Sequence, residues 1–185
     1  TASGQESAYA EASGSSGSLL LGIIATESKA ENKAEVSAWV GLERGITTGT
    51  ATELVIAGST LISSAVDSVQ EAKVDGYNGG IIAAGSNVGT ASTNTTSYAY
   101  VGGKVNLQAG TVQVAASGSS DGFADAISGS GGVVSGVSTE AKTNNTSVTK
   151  SEIRQGSTIN ARSVELLADH ITLFNGTADS VNASV

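Results

Sequence analysis

The stretch GGIIAAGSNVGTASTNTTSYAYVGGKVNLQAG, residues 79–110, places short aliphatic runs between glycines and strings of Thr, Asn and Ser. Its phrase GIIA at 80–83 also occurs at 22–25, and the related phrase GVVS occupies 132–135. The return of such chemically plain phrases along a chain is typical of a structural repeat. We therefore predict a repetitive protein in which every copy of the phrase occupies an equivalent position.

A second phrase recurs at nearly the same interval as the first. AVDSV at 65–69 returns as FADAI at 123–127 and as TADSV at 177–181, and YAEAS at 9–13 is a weaker forerunner. The acidic residues of these phrases are Glu11, Asp67, Asp125 and Asp179. Residues 1–185 are therefore predicted to form one segment of about three imperfect repeats, at about 11–66, 67–124 and 125–178.

Within each repeat the hydrophobic period is two rather than 3.6. Apolar and polar residues alternate, or nearly so, in VSAWV (36–40), ELVIA (53–57), KVNLQAGTVQVAA (104–116) and SVELLADHITLF (163–174). In TESKAENKAEVSAW (26–39) the charges fall on every second residue, which fits one face of an exposed strand better than a helix. Short alternating runs bounded by Gly, Asn, Ser or Asp predict an all-β protein.

The composition favours a narrow, stacked architecture. Gly, Ala, Ser and Thr make up more than half of the chain, and proline, which central strands exclude, is absent. We predict a parallel β-solenoid with coils of about 20 residues stacked at the strand spacing of roughly 4.8 Å, and roughly eight or nine coils in all. The alternative is an antiparallel β-sandwich, which matches the turn spacing but does not explain so long a repeat.

Stacking predicts which residues fill the interior. In a solenoid each residue lies over its counterpart one coil away, so like side chains are expected to meet. We expect Gly at the corners, where it adopts positive φ, and turns at the Asn-Gly pairs 78–79 and 175–176. The predicted inward residues are Ile23, Ile82, Val134, Val105, Leu107, Ala109, Val164, Leu166 and Ala168.

Three polar patches occupy similar places in the repeats: AENKAE at 30–35, STNTTS at 92–97 and KTNNTS at 142–147. One interpretation is a polar turn with stacked Asn side chains hydrogen-bonded from coil to coil. The other is N-glycosylation, because several asparagines lie in N-x-S/T patterns, although a chain rich in Ser, Thr and Asn produces these easily. The candidate acceptors are Asn94, Asn144, Asn145, Asn175 and Asn182.

Charge and hydropathy argue against several classes of partner. The formal net charge is −8, whereas nucleic acids and anionic membranes require a basic footprint. No apolar run reaches the length of about 18 residues that a membrane span needs, so we expect no membrane insertion. Cysteine is absent, which excludes disulfides and thiolate metal sites. Met is absent too, which indicates a processed product or a fragment of a longer repetitive protein.

The sequence shows no constellation typical of catalysis or of a bound cofactor. His170 is the only histidine, so a Ser-His-acid triad is unsupported and we expect a packed or surface residue. Asp121 and Asp125 are close in sequence, but Asp125 belongs to the repeated phrase, which favours a structural turn over a glycosidase pair. DGYNGG (75–80) and SSDGFAD (119–125) lack a complete set of calcium ligands. We predict no catalytic residue, no metal and no cofactor.

The segment 129–185 combines a GG plus an aliphatic pair, a TNNT patch, the start GSTINA, and then VELLAD and TADS. In these motifs, and in repeat texture over essentially the whole chain, it resembles the repeat regions of large secreted bacterial filamentous adhesins. These include haemagglutinin-like and leukotoxin-type filamentous exoproteins. The resemblance implies a right-handed parallel β-helix, export to the bacterial cell surface or medium, and a stalk or fibre role.

Three functions are consistent with these features. We expect a structural stalk or fibre segment of a secreted bacterial surface adhesin or extracellular filament, with no catalytic role. Its partners would be more of the same solenoid end to end, in one chain or as identical subunits. The alternative is a ligand-binding solenoid module for host-surface or matrix glycans, a host protein or ice. A carbohydrate-active β-helix enzyme comes third, because it lacks its carboxylate cluster.

Overall fold

The chain is all-β over residues 1–184, the part that the computed structural model describes, and its strands pair in parallel into three sheets. The long sheet contains β1 (Ala2–Gly17), β4 (Thr52–Val55), β5 (Ser59–Gly79), β8 (Val105–Gly132) and β11 (Thr158–Ser184). The middle sheet contains β2 (Leu21–Asn32), β6 (Ile82–Thr93) and β9 (Val134–Asn145). The short sheet contains β3 (Glu35–Val40), β7 (Thr96–Val101) and β10 (Val148–Ile153).

Successive passages of the chain lie side by side in every sheet, in chain order. From β5 onward, paired residues in the three sheets are separated by the same interval of 52 residues, as in Ser59 with Thr111. The interval between the first and second passages is longer, since Leu21 pairs with Ile82 in the middle sheet. We call one passage through the long, middle and short sheets a layer. Residues 1–184 thus form three layers and the long strand of a fourth.

The prediction of short coils is wrong, and with it the count of eight or nine coils. One layer takes at least 52 residues, the separation of Ser59 from its partner Thr111. Asp125 was expected to lie in a structural turn, yet it lies within β8, which continues for 28 residues. The Asn-Gly pairs at 78–79 and 175–176 likewise lie within β5 and β11. Ser, Gly and Asn remain in the strands because parallel ladders satisfy their backbone groups.

The long sheet packs face to face against the middle and short sheets, across an interior that changes along its width. Towards the short sheet it is aliphatic, with the buried residues Ala38, Ile62, Ala99, Val101, Val105, Leu107, Val112, Val114 and Ala116. Towards the middle sheet it narrows to the four alanines Ala30, Ala72, Ala91 and Ala124. Strands that approach so closely leave room for little more than a methyl group.

Between the aliphatic cluster and the alanine cluster, pairs of hydroxyl groups fill the interior. Ser64 Oγ lies 2.8 Å from Ser97 Oγ, and Ser68 Oγ lies 3.2 Å from Thr93 Oγ1. All four side chains are buried, and each pair joins the long sheet to the opposite wall. Buried hydroxyls that find one another avoid the desolvation cost of an unpaired polar group. The serines therefore act as interior spacers and not as turn residues.

The predicted inward positions are confirmed in β8, where Val105 and Leu107 are buried and Ala109 packs against the aliphatic core. Three residues of β11 face the same way, because each pairs with an inward residue of β8: Val164, Leu166 and Ala168. Val164 and Leu166 are nevertheless 44% and 45% exposed, because no further layer covers β11 within the described residues.

The prediction that Ile23, Ile82 and Val134 fill the interior is wrong. Ile82 does pair with Val134, but Ile23 pairs with Ala84, and all three aliphatic side chains are exposed. They point outward where the chain bends from the long sheet into the middle sheet, while smaller residues such as Gly22 and Ala83 take the buried positions.

The acidic phrase does not mark equivalent positions either. Asp67 pairs with Ser119, whereas Asp125 pairs with Lys73 and Thr177. A separate irregularity is the longer interval between paired residues of the first and second layers, which arises because residues 41–51 join β3 to β4, whereas only residues 102–104 join β7 to β8.

Large inward side chains in β11 lie over glycines of β8 instead of over like residues. A Cβ at Gly118 would come within 2.4 Å of His170 Nδ1, and a Cβ at Gly122 would come within 2.4 Å of Phe174 Cε1. The expectation that like side chains stack is therefore wrong at these positions. A bulky residue in one layer is accommodated because its neighbour has no side chain.

Glycine serves two separate purposes at the two ends of a layer. Within the described residues, positive φ occurs only in the connections from the short sheet to the long sheet, at Gly41, Gly45, Gly156 and Lys104. The expectation of corner glycines is confirmed there. At the opposite bend the glycines are required by close approach, since a Cβ at Gly132 would lie 2.1 Å from the Gly80 carbonyl oxygen.

We predict that Gly132→Ala lowers the free energy of unfolding by about 1–3 kcal/mol, because the added methyl would overlap the backbone of the neighbouring layer. Gly131→Ala is the matched control, since a Cβ there meets nothing within 4 Å. Urea denaturation of the two variants measures the difference. Equal destabilisation by both would contradict the close approach.

Candidate functional site

His170 is held inside the fold by hydroxyl groups of the preceding layer. Its Nδ1 lies 2.7 Å from Thr149 Oγ1 and its Nε2 lies 3.2 Å from Ser120 Oγ. Both ring nitrogens are thus engaged by neutral side chains of two facing strands, which fix the ring in the plane above Gly118. This arrangement secures the packing of β11 and does not resemble a base that is oriented towards a substrate.

The carboxylates that the sequence brings close together lie apart on the outer face of the long sheet. Asp121 and Asp125 are four residues apart on one strand, which is roughly 13 Å and exceeds the roughly 5–9.5 Å of glycosidase pairs. The segments 75–80 and 119–125, considered as calcium loops, belong almost entirely to β5 and β8. Among residues 1–184 no three His, Cys, Asp or Glu side chains cluster as metal ligands would.

The three polar patches meet at the junction of the middle and short sheets, in agreement with their similar places in the repeats. The side chains that link the layers there are hydroxyls, and not the stacked Asn side chains that were expected. The backbone N–H and the Oγ1 of Thr95 lie 3.1 and 3.0 Å from Ser147 Oγ in the next layer. Asn145 Oδ1 accepts a hydrogen bond from the Ser147 backbone N–H at 2.8 Å. These bonds favour the interpretation of the patches as polar turns.

The five candidate glycosylation acceptors fall into two groups. Two have side chains engaged within the fold: Asn145 bonds to Ser147, and Asn182 Oδ1 accepts a hydrogen bond from Ser130 Oγ at 2.8 Å. The other three are exposed, as Asn182 is, but their side chains make no hydrogen bond within the described residues: Asn94, Asn144 and Asn175. A bulky glycan is accommodated most easily at an exposed side chain, so these three remain the sites at which the prediction can be tested.

A shallow groove crosses the outer face of the long sheet along the stacking direction. It has a volume of about 590 Å³ and takes one or more residues from each of the four layers. Hydroxyls and small side chains form its floor, including Ser117, Ser119 and Ala65, and the carboxylates Asp67 and Asp169 lie on its sides. Asp67 and Asp169 lie two layers apart across the sheet and are offset by two residues along it. At the usual strand spacings this separates them by roughly 12 Å, which is more than the carboxylate separation of a glycosidase pair.

An aromatic cluster covers the outer face of the short sheet, under the long connection 41–51. Trp39 stacks on Tyr100 with ring centroids 5.9 Å apart and planes 6° from parallel. The Arg44 guanidinium lies 4.3 Å from the centre of the Tyr98 ring, and the Arg44 backbone N–H donates to the Tyr100 hydroxyl at 2.9 Å. The rings clamp the connection onto the sheet, and Tyr100 is only 2% exposed, whereas Trp39 remains 43% exposed.

The long connection also reaches the third layer. Lys104 Nζ donates to the Gly49 carbonyl at 3.2 Å, and Arg154 Nη1 donates to the Glu43 carbonyl at 3.4 Å. Sequence reasoning did not identify this cluster. The available signal was the concentration of three of the seven aromatic residues in β3 and β7.

Charged side chains elsewhere pair along single strands. Lys33 and Lys29 hydrogen-bond to the Glu31 carboxylate and lower the pKa of that carboxyl. The Tyr9 hydroxyl donates to Glu11 Oε2 at 2.6 Å, which raises the pKa of Tyr9. These groups are exposed to solvent, so such pairs contribute little to folding stability. The exposed Lys and Glu side chains make the outer faces polar, while each pair carries little net charge.

The described outermost strands leave their edges open. In the long sheet β1 and β11 each have one paired side and one free side, as do β2 and β9 in the middle sheet and β3 and β10 in the short sheet. Within residues 1–184 nothing caps β11, and its inward residues Val164 and Leu166 remain half exposed. Unpaired strand edges bordered by apolar side chains are the surfaces on which another strand can pair.

Comparison with known proteins identifies no relative: no protein-family model, no curated protein and no solved structure matches the chain. A search of residues 1–184 for a helix long and apolar enough to span a membrane finds none. The residues themselves, and their placement in the three sheets, are therefore the basis for a proposal about function.

We predict that His170→Ala lowers the free energy of unfolding by about 1 kcal/mol, because it removes two hydrogen bonds between layers. Asp169→Ala is a suitable control, since the neighbouring side chain points outward from the same strand. Thermal and urea denaturation measure both effects. A stability unchanged by His170→Ala would show that the imidazole does not hold β11 in place.

Proposed function

We propose that the chain is a structural segment of a β-solenoid rod, a stalk or fibre element with no catalytic role. The observation that carries this proposal is the interval of 52 residues between paired positions, which recurs in all three sheets from β5 onward. A fixed interval lets each further layer repeat the contacts of the previous one. The rod then grows along its axis by one strand spacing per layer.

The edges of the described layers support growth in this direction. The free side of β11 extends over 27 residues, and its inward side chains lie in line with buried residues of β8. A further layer on this edge would cover Val164 and Leu166 and pair the free backbone groups. We propose that the partners are further layers of the same kind, in one chain or as identical subunits end to end.

An extracellular role, at a bacterial cell surface or in a secreted filament, forms part of the same proposal. The absence of cysteine, the acidic net charge and the hydroxyl-rich outer faces are compatible with it. So is the repeat texture that resembles filamentous adhesins, which implies a right-handed path of the chain. A rod that presents a binding tip far from a surface needs length and stiffness and needs no site of its own.

The proposal is tested by adding layers. Residues 106–157 span one full interval, since Asn106 pairs with Thr158. Inserting five further copies after residue 157 should lengthen the particle by about 24 Å at constant width. The apparent melting temperature should rise as well, because each new layer adds interfaces with its neighbours. Small-angle scattering and electron microscopy measure length and width.

A scrambled insert of the same composition is the matched control, and it should add a flexible loop without lengthening the rod. Fibre diffraction from the extended chain should show a reflection near about 4.8 Å along the axis. An insert that widened the particle, or that left the axial reflection absent, would refute the stacking of layers.

A ligand-binding module is the second candidate, and the groove across the long sheet favours it. Its hydroxyl floor and two carboxylates offer donors and acceptors in a row that crosses four layers. Polar, hydroxyl-rich grooves suit extended neutral or cationic glycans, and the carboxylates disfavour acidic ones. The roughly 12 Å between Asp67 and Asp169 supports binding rather than hydrolysis.

We predict that any glycan bound by the chain on an array loses affinity by about tenfold with Asp67→Asn, through the loss of a charge-assisted hydrogen bond. Asp75→Asn, on the same face but outside the groove, is the control. An array without signal for the wild-type chain would remove this second candidate and leave the structural role untouched.

A further inference from the structure

An exposed aliphatic ridge runs along the bend between the long and middle sheets. We define the ridge as eight residues: Leu19, Leu20, Leu21, Ile23, Ile81, Ile82, Val133 and Val134. Backbone hydrogen bonds hold the three bends directly over one another, with the Ile82 N–H donating to the Leu20 carbonyl at 2.8 Å and the Val134 N–H to the Ile81 carbonyl at 2.9 Å. The aliphatic residues of the three bends therefore form a continuous line on the surface, with Leu20 and Leu21 of the first layer beside Ile81 and Ile82 of the second.

The ridge is larger than the apolar patches that soluble monomers usually expose. Its eight side chains are between 47% and 88% exposed. At on the order of 100 Å² each they present roughly 800 Å², compared with roughly 300–600 Å² for the largest patch of a typical monomer. About 800 Å² per partner is the area that a stable protein–protein interface buries.

Charges are absent from the bends and begin at their borders. No Asp, Glu, Lys or Arg occurs in residues 12–26, 76–103 and 126–139. The nearest charged residues on either side are mostly acidic: Glu11, Glu27, Asp75, Lys104, Asp125 and Glu140. An apolar centre with charges at the rim is the anatomy of a protein interface, whereas an anionic membrane surface would require basic residues at these borders.

The bulk of the ridge decreases from the first layer to the third. The first bend carries three leucines and Ile23, the second carries two isoleucines, and the third carries two valines. In an antiparallel pair of ridges, the leucines of each copy would face the valines of the other. The isoleucines of the two second layers would then meet at the centre. Parallel ridges would leave a gap at the valines.

We propose that the ridge binds the ridge of a second copy of this chain in an antiparallel pair. The contact is isologous, so its two-fold axis passes near Ile81 and Ile82 and the pair closes as a dimer. Both ridges have the same spacing between layers, so the aliphatic side chains of one copy interdigitate with those of the other. This lateral contact is separate from the axial stacking of layers, which would produce an open series of lengths.

Sedimentation velocity of the wild-type chain should show a closed dimer at concentrations on the order of 100 µM, because interfaces of this size have micromolar or tighter affinity. Ile82→Asp should weaken the dimer by on the order of 100-fold, since it would bury an unpaired carboxylate. Val55→Asp, at an exposed apolar residue outside the ridge, should leave the dimer intact. Circular dichroism confirms that both variants keep their strands.

Cross-linking tests the direction of pairing, and the chain offers a clean background because it contains no cysteine. Ile82→Cys should be linked to itself by a short bis-maleimide, and Val55→Cys should not. Leu20→Cys should link to Val133→Cys in a mixture of the two variants, but not to itself.

Four results would overturn the proposal. These are a wild-type chain that stays monomeric, a dimer that survives Ile82→Asp, self-linking of Leu20→Cys in preference to Val133→Cys, and binding to phosphatidylcholine vesicles in place of dimerisation. An open series of oligomers that Ile82→Asp leaves unchanged would support axial stacking and refute the lateral pair, so the two proposals can fail independently.

Discussion

The narrow gap between the long and middle sheets governs which residues the chain can use. A Cβ at Gly89 would lie 3.2 Å from the Asp125 carbonyl oxygen, so the facing backbones are separated by little more than a side-chain methyl. Ala, Gly and Ser are the residues that fit at inward positions of such a gap. The high content of small residues is therefore a consequence of layer thickness, and it limits the apolar area that any one layer can bury.

Because each layer buries little, stability depends on contacts between layers. The hydroxyl pairs Ser64–Ser97 and Ser68–Thr93 join opposite walls, and Thr95 with Ser147 joins neighbouring layers. A strand that slipped by one residue would turn these hydroxyls outward and bring charged residues into the gap. The interior polar groups thus fix the register that keeps the interval between layers constant, which is the condition that the proposed stacking of further layers requires.

The sequence pattern predicted the strand type, the parallel order of repeats and the inward residues of β8, because alternation reveals which residues share a face. It did not predict which face is inside at the bends. Ile23 and Val134 are outside and Gly22 is inside, because a Cβ at Gly22 would lie 2.5 Å from the Gly79 carbonyl oxygen. The length of a layer was not predicted, because Ser and Gly occur in strands and in turns alike, so the polar runs did not show where a strand ends. The groove combines residues more than one hundred positions apart, so no local motif could reveal it.

The same constraint connects the interior to the ridge. A side chain at Gly22 or Gly132 would meet the backbone of the neighbouring layer, so Ile23, Ile81, Ile82, Val133 and Val134 lie on the outer surface of the bends, whereas Ile24 packs inward over Gly14 and Gly85. Each further layer with this phrase would add two or more exposed aliphatic residues, and the ridge would lengthen in step with the rod. Lateral affinity would then increase with the number of layers, so that longer rods pair more tightly than the three bends of this chain. Stiffness along the axis and pairing across it would both follow from one repeated phrase.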